Sequence, residues 1–358
     1  MLAEEFSAIE TREFFCALLH TNASGRPLRC LRFLRCSMEL PSILPLDSPQ
    51  VEYEPKGNCW DNAVAESFFS SLGTSTAMTE ANQLKELQRA SWEDTSAGWE
   101  RHYDWYVETV RPMIDRVCDV TALAPGKSVL DVACGTGQPA LSAAQRVGPS
   151  GSVVAIDLAP SMVAATARRA KAMGLTNVEA REMDAEALDF PANRFDAVTF
   201  TTGIMFCADP VQAVAEIRRV LKSGGRYAIV VWDAPAKNPY IGLLSRAAGP
   251  VLNTPPPPPD SPGAFRFAQP GALERLVRVG GFTDVQVESL PMVFDCGSVE
   301  NYLRIALDLR SGLKAKLNAL STEERARFEA LVREGAKDHM EEGRLRLRAT
   351  VLCASGSA

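Results

Sequence analysis

From residue 128 onward, short apolar runs alternate with segments whose apolar positions recur every three or four residues, a rhythm that predicts strands separated by helices. Strands are expected at Ser128–Ala133, Ser152–Asp157, Val178–Glu182, Phe195–Thr201, Arg226–Trp232, Val285–Val293 and Arg344–Leu352. Helices are expected near 138–147, 160–173, 209–221 and 270–280, with Pro160 in a first turn that tolerates proline and Gly174 where a helix stops. Strand, helix, strand in regular order argues for a parallel sheet covered on both faces. Upstream, Leu84, Leu87, Trp92, Trp99, Tyr103, Tyr106, Val110 and Ile114 stand at helical spacing between Gln83 and Val120. They predict two helices along one edge of the domain. The fold class is therefore α/β, a doubly wound, seven-stranded, mostly parallel sheet.

Two stretches break the rhythm. Leu252 to Pro270 contains five consecutive prolines at 255–259, which fit neither helix nor central strand and predict a stiff surface flap. Ser298 to Gly343 inserts helical patterns around Glu300–Leu309 and Thr322–Met340 ahead of the last strand. Insertions at such places commonly form lids and pocket walls.

Composition narrows the function classes. The chain of 358 residues is 46% hydrophobic and 23% charged, with a formal net charge of −6, so a basic nucleic-acid-binding face is not expected. Nine cysteines without a C-x-x-C pair, beside three histidines, predict neither a zinc site nor a disulfide framework, and a reducing cytoplasm fits them. No apolar run reaches the roughly 18 residues of a membrane helix. The first 15 residues hold four glutamates, unlike a secretory leader.

Residues 1–77 do not share the downstream pattern. They carry 6 basic and 10 acidic residues, hence −4 of the net charge. Arg26, Arg29, Arg32 and Arg35 lie among apolar residues in a way that fits a basic helix face or, as the preferred reading, disordered sequence. Lys56 to Leu72 resembles the final active-site helix of insertion-sequence transposases of the DDE type. In that family the glutamate matching Glu66 is one of three carboxylates holding two metal ions. A partner aspartate would lie about 35 residues upstream, where this chain has Cys30, and its first aspartate is Asp47. Glu66 alone cannot run two-metal chemistry, so 1–77 reads as a remnant or an early start, with a domain of 78–358 beginning at Met78.

The chemistry concentrates at Val129-Leu-Asp-Val-Ala-Cys-Gly-Thr-Gly-Gln-Pro-Ala140, an apolar strand running through a glycine-rich turn into a helix. Gly135 and Gly137 allow a ligand to approach the backbone, and the helix amides beyond can meet an anionic or polar group. By itself the motif also fits a dinucleotide fingerprint, with Asp157 ending the next strand. Asp131 inside the first strand, the Asp184-Ala-Glu-Ala-Leu block after the third, and a helix–strand pair after the sixth together resemble class I S-adenosylmethionine-dependent methyltransferases, in particular the small-molecule branch that includes quinone-biosynthesis enzymes. Arg219 to Arg226 and Gly280 to Val285 extend the resemblance, which runs from about Trp92 to Ser355 with a cofactor core of about 121–232.

The resemblance implies a Rossmann-like methyltransferase fold with helical lid insertions and S-adenosyl-L-methionine as cofactor. The loop from Asp131 through Ala133, Gly135, Gly137 and Gln138 would hold the methionine part. Asp157 would accept the ribose hydroxyls, Asp184 the adenine amino group and Ala185 the ring through its backbone. Leu158 and Met162 would pack on the ring faces, and Thr201 would lie near the methionine tail. Ala133 stands where the family has its first glycine.

Trp99 and Tyr103 read as core residues, with closure over the cofactor as the alternative. His102 and His339 read as packing or surface residues, and Cys134 and Cys207 have no evident partner to activate them. The catalytic residue stays unassigned, because an activated methyl group needs alignment more than a base. The expected activity is methyl transfer to a small-molecule acceptor, with no nucleic-acid partner. A nicotinamide-dependent oxidoreductase and, from the leader alone, a DNA-recombination remnant remain as alternatives.

Overall fold

The computed structural model describes residues 80–253 and 260–358. The leader 1–77, with its transposase-like stretch and Glu66, and the expected start at Met78 lie outside them, as does the proline run.

Two helices, α1 (Glu80–Arg101) and α2 (Tyr103–Val120), precede β1 (Ser128–Val132). The alternating core then runs α3 (Ala140–Val147), β2 (Ser152–Asp157), α4 (Pro160–Ala172), β3 (Val178–Glu182), β4 (Phe195–Thr201), α5 (Pro210–Val220) and β5 (Leu221–Trp232). After it come α6 (Pro239–Leu252), α7 (Ala272–Val279) and β6 (Gln286–Gly297), then the insertion α8 (Val299–Asp308), α9 (Ser311–Asn318) and α10 (Thr322–Ala336). The short β7 (Met340–Glu341) and the long β8 (Arg344–Ser357) finish the chain.

The strands join in the order β3-β2-β1-β4-β5-β8-β6, with β7 paired to β8 off this path. β1 to β5 are mutually parallel, and β8 runs antiparallel between β5 and β6. Val129, Leu130 and Val132 are buried because helices cover both faces of the sheet. The chain leaves β1 toward β2 and β3 on one side, then returns to place β4 on the other. That reversal leaves a crevice at the carboxyl ends of β1 and β4.

Several expectations change in detail. β1 stops at Val132 because Ala133 takes φ +53°, outside the strand region. β5 begins at Leu221, pairing it with Phe195, and a bulge intervenes before Arg226 meets Ala197. β8 continues to Ser357, since Ser357 pairs with Arg226. Helices α6 and α9 were not expected. In α6 the residues Tyr240, Ile241, Leu243, Leu244, Ala247 and Ala248 are all buried, so its apolar positions go most of the way round and hide the period that a surface helix displays. The described end of the flap is no free surface loop. Ala264 and Phe267 are buried, and the Arg266 guanidinium donates to the Cys207 carbonyl at 2.6 Å.

α1 and the insertion meet closely. A Cβ placed on Gly98 would stand 2.1 Å from the carbonyl oxygen of Asp308, at the end of α8. Beside this crossing the Asp308 carboxylate takes a hydrogen bond from His102 Nε2 at 3.0 Å and from Lys314 Nζ at 3.1 Å. Burial works against its charge, but donors from His102, Lys314 and Arg101 hold its pKa at about 2.

In an exposed helix, alanine in place of glycine stabilises by about 0.5–1 kcal/mol. At Gly98 the backbone clash reverses the sign, and G98A is expected to cost about 1–3 kcal/mol. A fall in Tm of several degrees in thermal unfolding checks this; an unchanged or raised Tm contradicts it.

Candidate functional site

The crevice beyond β1 and β4 opens into a cleft of about 1200 Å³, mouth included. Its floor is the glycine-rich turn after β1. Ala133 has φ +53°, Gly135 φ +52° and Gly137 φ +123°, so three of five consecutive residues lie in the left-handed region. A Cβ at Gly135 would meet nothing within 4 Å, which leaves backbone bare toward the cleft. Gly137 serves another purpose. Its Cβ would stand 2.7 Å from Leu141 Cδ1, so it lets the turn close onto α3 and does not line the cleft.

The turn is held by two carboxylates. Asp157, at the end of β2, accepts the Gly135 amide at 2.9 Å on one oxygen and the Ala159 amide at 3.0 Å on the other. It is only 8% exposed yet borders the cleft. Desolvation pushes its pKa up to about 6, against the opposing backbone amides of Ala159, Gly135 and Leu158. Asp131 is fully buried and does not reach the cleft. Its oxygens accept the Ala140 amide at 3.0 Å, at the start of α3, and the Thr199 hydroxyl at 2.7 Å, on β4. Desolvation raises it to about 7. It fastens strand, helix and neighbouring strand together from behind the turn.

Of the other expected residues, Ala133, Gln138, Leu158, Met162, Asp184, Ala185 and Thr201 all line the cleft. Thus nine of the eleven converge there, and Asp131 and Gly137 stand behind. Gln138 Nε2 donates to the Tyr103 hydroxyl at 3.2 Å, joining the turn to α2. Asp184 accepts the Glu186 amide at 2.8 Å.

The opposite wall comes from α1 and α2. Lys85, Gln88 and Trp92 lie on one face of α1, and Trp99, Tyr103, Tyr106, Val110, Met113 and Ile114 continue the wall. Trp99 and Tyr103 are partly exposed cleft residues rather than core. Lys85 Nζ bridges Asp184 and Glu186, 2.7 Å from each. Burial draws the lysine pKa down, but hydrogen bonds to both carboxylates outweigh this and raise it. Trp92 meets Phe206 edge-on at 5.2 Å, closing the cleft between α1 and the segment after β4.

Lys85, Glu186, Tyr106, Thr202 and Phe206 escaped the sequence reading as site residues. Only Glu186, inside the Asp184 block, and the helical spacing of Lys85, Gln88 and Trp92 carried any signal. His102 is buried against Asp308, and neither it nor His339 lines the cleft. Cys134 and Cys207 do line it, but burial pushes both thiols well up, keeping them protonated at neutral pH. Among the described residues no group of His, Cys, Asp and Glu could hold a metal, and no helix is long and apolar enough to cross a membrane.

Residues 129–225 match the family described as "Methyltransferase domain". The chain is 36% identical over 189 residues to nocamycin O-methyltransferase of Saccharothrix syringae, covering 50% of this chain and 68% of that protein. It is 41% identical over 131 residues to demethylmenaquinone methyltransferase of Thermus thermophilus, covering 37% of this chain and 58% of that protein. Among solved structures, a SAM-dependent methyltransferase from Aquifex aeolicus aligns with TM-score 0.37 and 20% identity, over 59% of this chain and 91% of that one.

The left-handed Ala133 generates a stability prediction. An L-residue there costs about 1–2 kcal/mol, while glycine loosens the unfolded chain by about 0.4–1 kcal/mol. A133G is therefore expected to stabilise by about 0.5 kcal/mol, the reverse of an ordinary alanine-to-glycine change. Urea unfolding should show a raised midpoint with unchanged slope; a lowered midpoint contradicts the strain.

Proposed function

The chain belongs to the family of S-adenosylmethionine-dependent methyltransferases, and on that premise we propose that the cleft at the ends of β1, β2 and β4 binds this cofactor and presents its methyl group to a small organic acceptor. The observation that carries the reading is Asp157, a buried carboxylate at the cleft wall whose oxygens have lone pairs to spare after the Gly135 and Ala159 amides.

The donor set fits the cofactor. Asp157 is suited to accept two ribose hydroxyls, and Asp184 an exocyclic amino group alongside Lys85. Leu158, Met162 and Ala185 offer apolar surface for a flat ring. The bare backbone at Gly135, with Ala133, Gln138 and Thr201, suits the amino-acid tail. Asp131 and Gly137 support the turn from behind. When bound, S-adenosylmethionine supplies an activated methyl for in-line displacement, so this chain's part is to align the acceptor and exclude water. The α1 roof does the second. Lys85 anchors it to Asp184 and Glu186, and Glu93 accepts the Ser161 amide at 2.8 Å.

Within the family we place the chain in the small-molecule branch, with acceptors comparable in kind to those of nocamycin O-methyltransferase and demethylmenaquinone methyltransferase. A nucleic-acid partner is not part of this reading. The five cysteines among the described residues are all free, which favours a reducing cytoplasm.

Calorimetric titration of S-adenosylmethionine and NAD(H) into the protein is the test. Micromolar binding of the sulfonium compound is expected, about 100-fold weaker in D157A, which loses two charge-assisted hydrogen bonds. Binding of NAD(H) alone would overturn the reading.

A pH dependence follows from the raised Asp157 pKa of about 6. Ribose hydroxyls bond best to the ionised carboxylate, so cofactor affinity should fall as pH drops through 6 and level off above 7. D157N should flatten the profile. Fold stability moves the other way. A carboxyl whose pKa is raised in the folded state contributes stability below its unfolded value, near 4, and loses it as pH rises through the folded value. Asp157 and Asp131 therefore both make the unliganded protein less stable between about pH 4 and 7, and thermal unfolding across that range checks the sign.

A further inference from the structure

Asp184, which the cofactor reading gives to the adenine amino group, already has a partner in the structure. Lys85 Nζ stands 2.7 Å from Asp184 Oδ2 and 2.7 Å from Glu186 Oε2. All three residues line the cleft, and Lys85, Gln88 and Trp92, spaced three and four residues apart, form the face of α1 that is turned to it. Among the described residues Lys85 is the one cation in the lining. A ring that reaches Asp184 therefore meets an ammonium group beside the carboxylate.

The anchoring of the lysine keeps it in place when a ring arrives. Its second partner, Glu186, has a side chain only 7% exposed, and the other Glu186 oxygen accepts the Ala208 amide at 2.7 Å. Withdrawing the lysine would strip a buried carboxylate of its countercharge. α1 is held further by Trp92 on Phe206 and by Glu93, which accepts the Ser161 amide at 2.8 Å. Burial opposes the charge on Lys85, but hydrogen bonds to Asp184 and Glu186 raise its pKa, so it is an ammonium at neutral pH.

An ammonium carries three hydrogens, of which Asp184 and Glu186 take two and leave one to donate. Asp184 receives the Glu186 amide at 2.8 Å on Oδ1 and Lys85 on Oδ2, and each oxygen keeps a further lone pair. The cleft thus offers a donor and an acceptor side by side. Adenine presents the complement, an amino group that donates, flanked by the ring nitrogens N1 and N7 that accept. We propose that Lys85 is a cofactor-binding residue that donates to a ring nitrogen flanking the adenine amino group, so that α1 reads the base together with Asp184. This rests on the methyltransferase reading of the same cleft.

The test is calorimetric titration of the full chain, wild type and K85M, with S-adenosylhomocysteine and its 1-deaza, 3-deaza and 7-deaza analogues, each with C–H in place of one ring nitrogen. Wild type should bind the 1-deaza or the 7-deaza analogue about tenfold more weakly than the parent. K85M should bind the parent about tenfold more weakly and lose that discrimination to within about twofold. The 3-deaza penalty should be the same in both proteins, because N3 lies on the edge away from the amino group. A lysine that only tethers α1 would weaken all four ligands alike in K85M and leave every ratio unchanged. That result, or equal binding of the parent, 1-deaza and 7-deaza compounds by wild type, overturns the role of Lys85. K85Q, one atom shorter and still polar, decides in the same way if K85M does not fold. Failure of S-adenosylhomocysteine to bind wild type would overturn the cofactor reading instead, and the lysine contact with it.

Discussion

The hydrogen bond from the Gly135 amide to the Asp157 carboxylate, 2.9 Å long, ties the ends of β1 and β2 together across the floor of the cleft. A parallel sheet gives adjacent strands the same direction but leaves their exits free to splay. Here the exit of β1 is fastened twice, to Asp157 in front and through Asp131 to α3 and Thr199 behind. Both carboxylates are withdrawn from water, and both are raised in pKa by that withdrawal. Their backbone and hydroxyl donors recover part of the cost. The arrangement gains a turn whose bare backbone faces outward at a fixed place.

The same region concentrates backbone strain. Ala133 and Thr202 both occupy the left-handed region, one residue beyond the ends of β1 and β4. Gly203 packs against Ala133, so the two turns interlock. Strain of this kind persists only where surrounding contacts over-determine it. The roof is attached differently. α1 reaches the cleft rim through Lys85 on Asp184 and Glu186, Arg89 on Glu182, and Arg168 on Glu100. Most of these pairs are partly exposed, and each is worth little alone. A rigid floor and a roof held by solvent-accessible charges suit the proposed role of the cleft, in which cofactor and acceptor enter and leave.

The insertion contributes by bracing rather than by lining. α8 meets α1 at Gly98 and receives His102 on Asp308, at the break between α1 and α2. Among the described residues none of 298–343 lines the cleft. The insertion instead packs against the start of the aromatic wall, at Gly98 and His102.

Local pattern carried the alternating core. β2 and β4 have the bounds their apolar runs imply, because a strand buried on both faces leaves little freedom in composition. The glycine-rich turn and the aspartates at 157 and 184 were legible for a similar reason, since backbone conformation and strand ends restrict which residues fit. Elements whose limits depend on partners were not. β5 lengthens where Leu221 pairs with Phe195 of β4, β8 lengthens where its end pairs with β5 up to Arg226 and Ser357, and α6 hides its period by being buried nearly all round. The division of labour inside the motif also needed three dimensions. Nothing in the spacing separates Asp131 and Gly137, which support the turn, from Asp157 and Gly135, which face the cleft. The aromatic wall was visible as helix, with closure of Trp99 and Tyr103 over the cofactor only as the alternative to a core role. Whether Trp99, Tyr103 and Tyr106 are core or cleft depends on how far α2 stands from β4, and the packing of distant segments sets that distance.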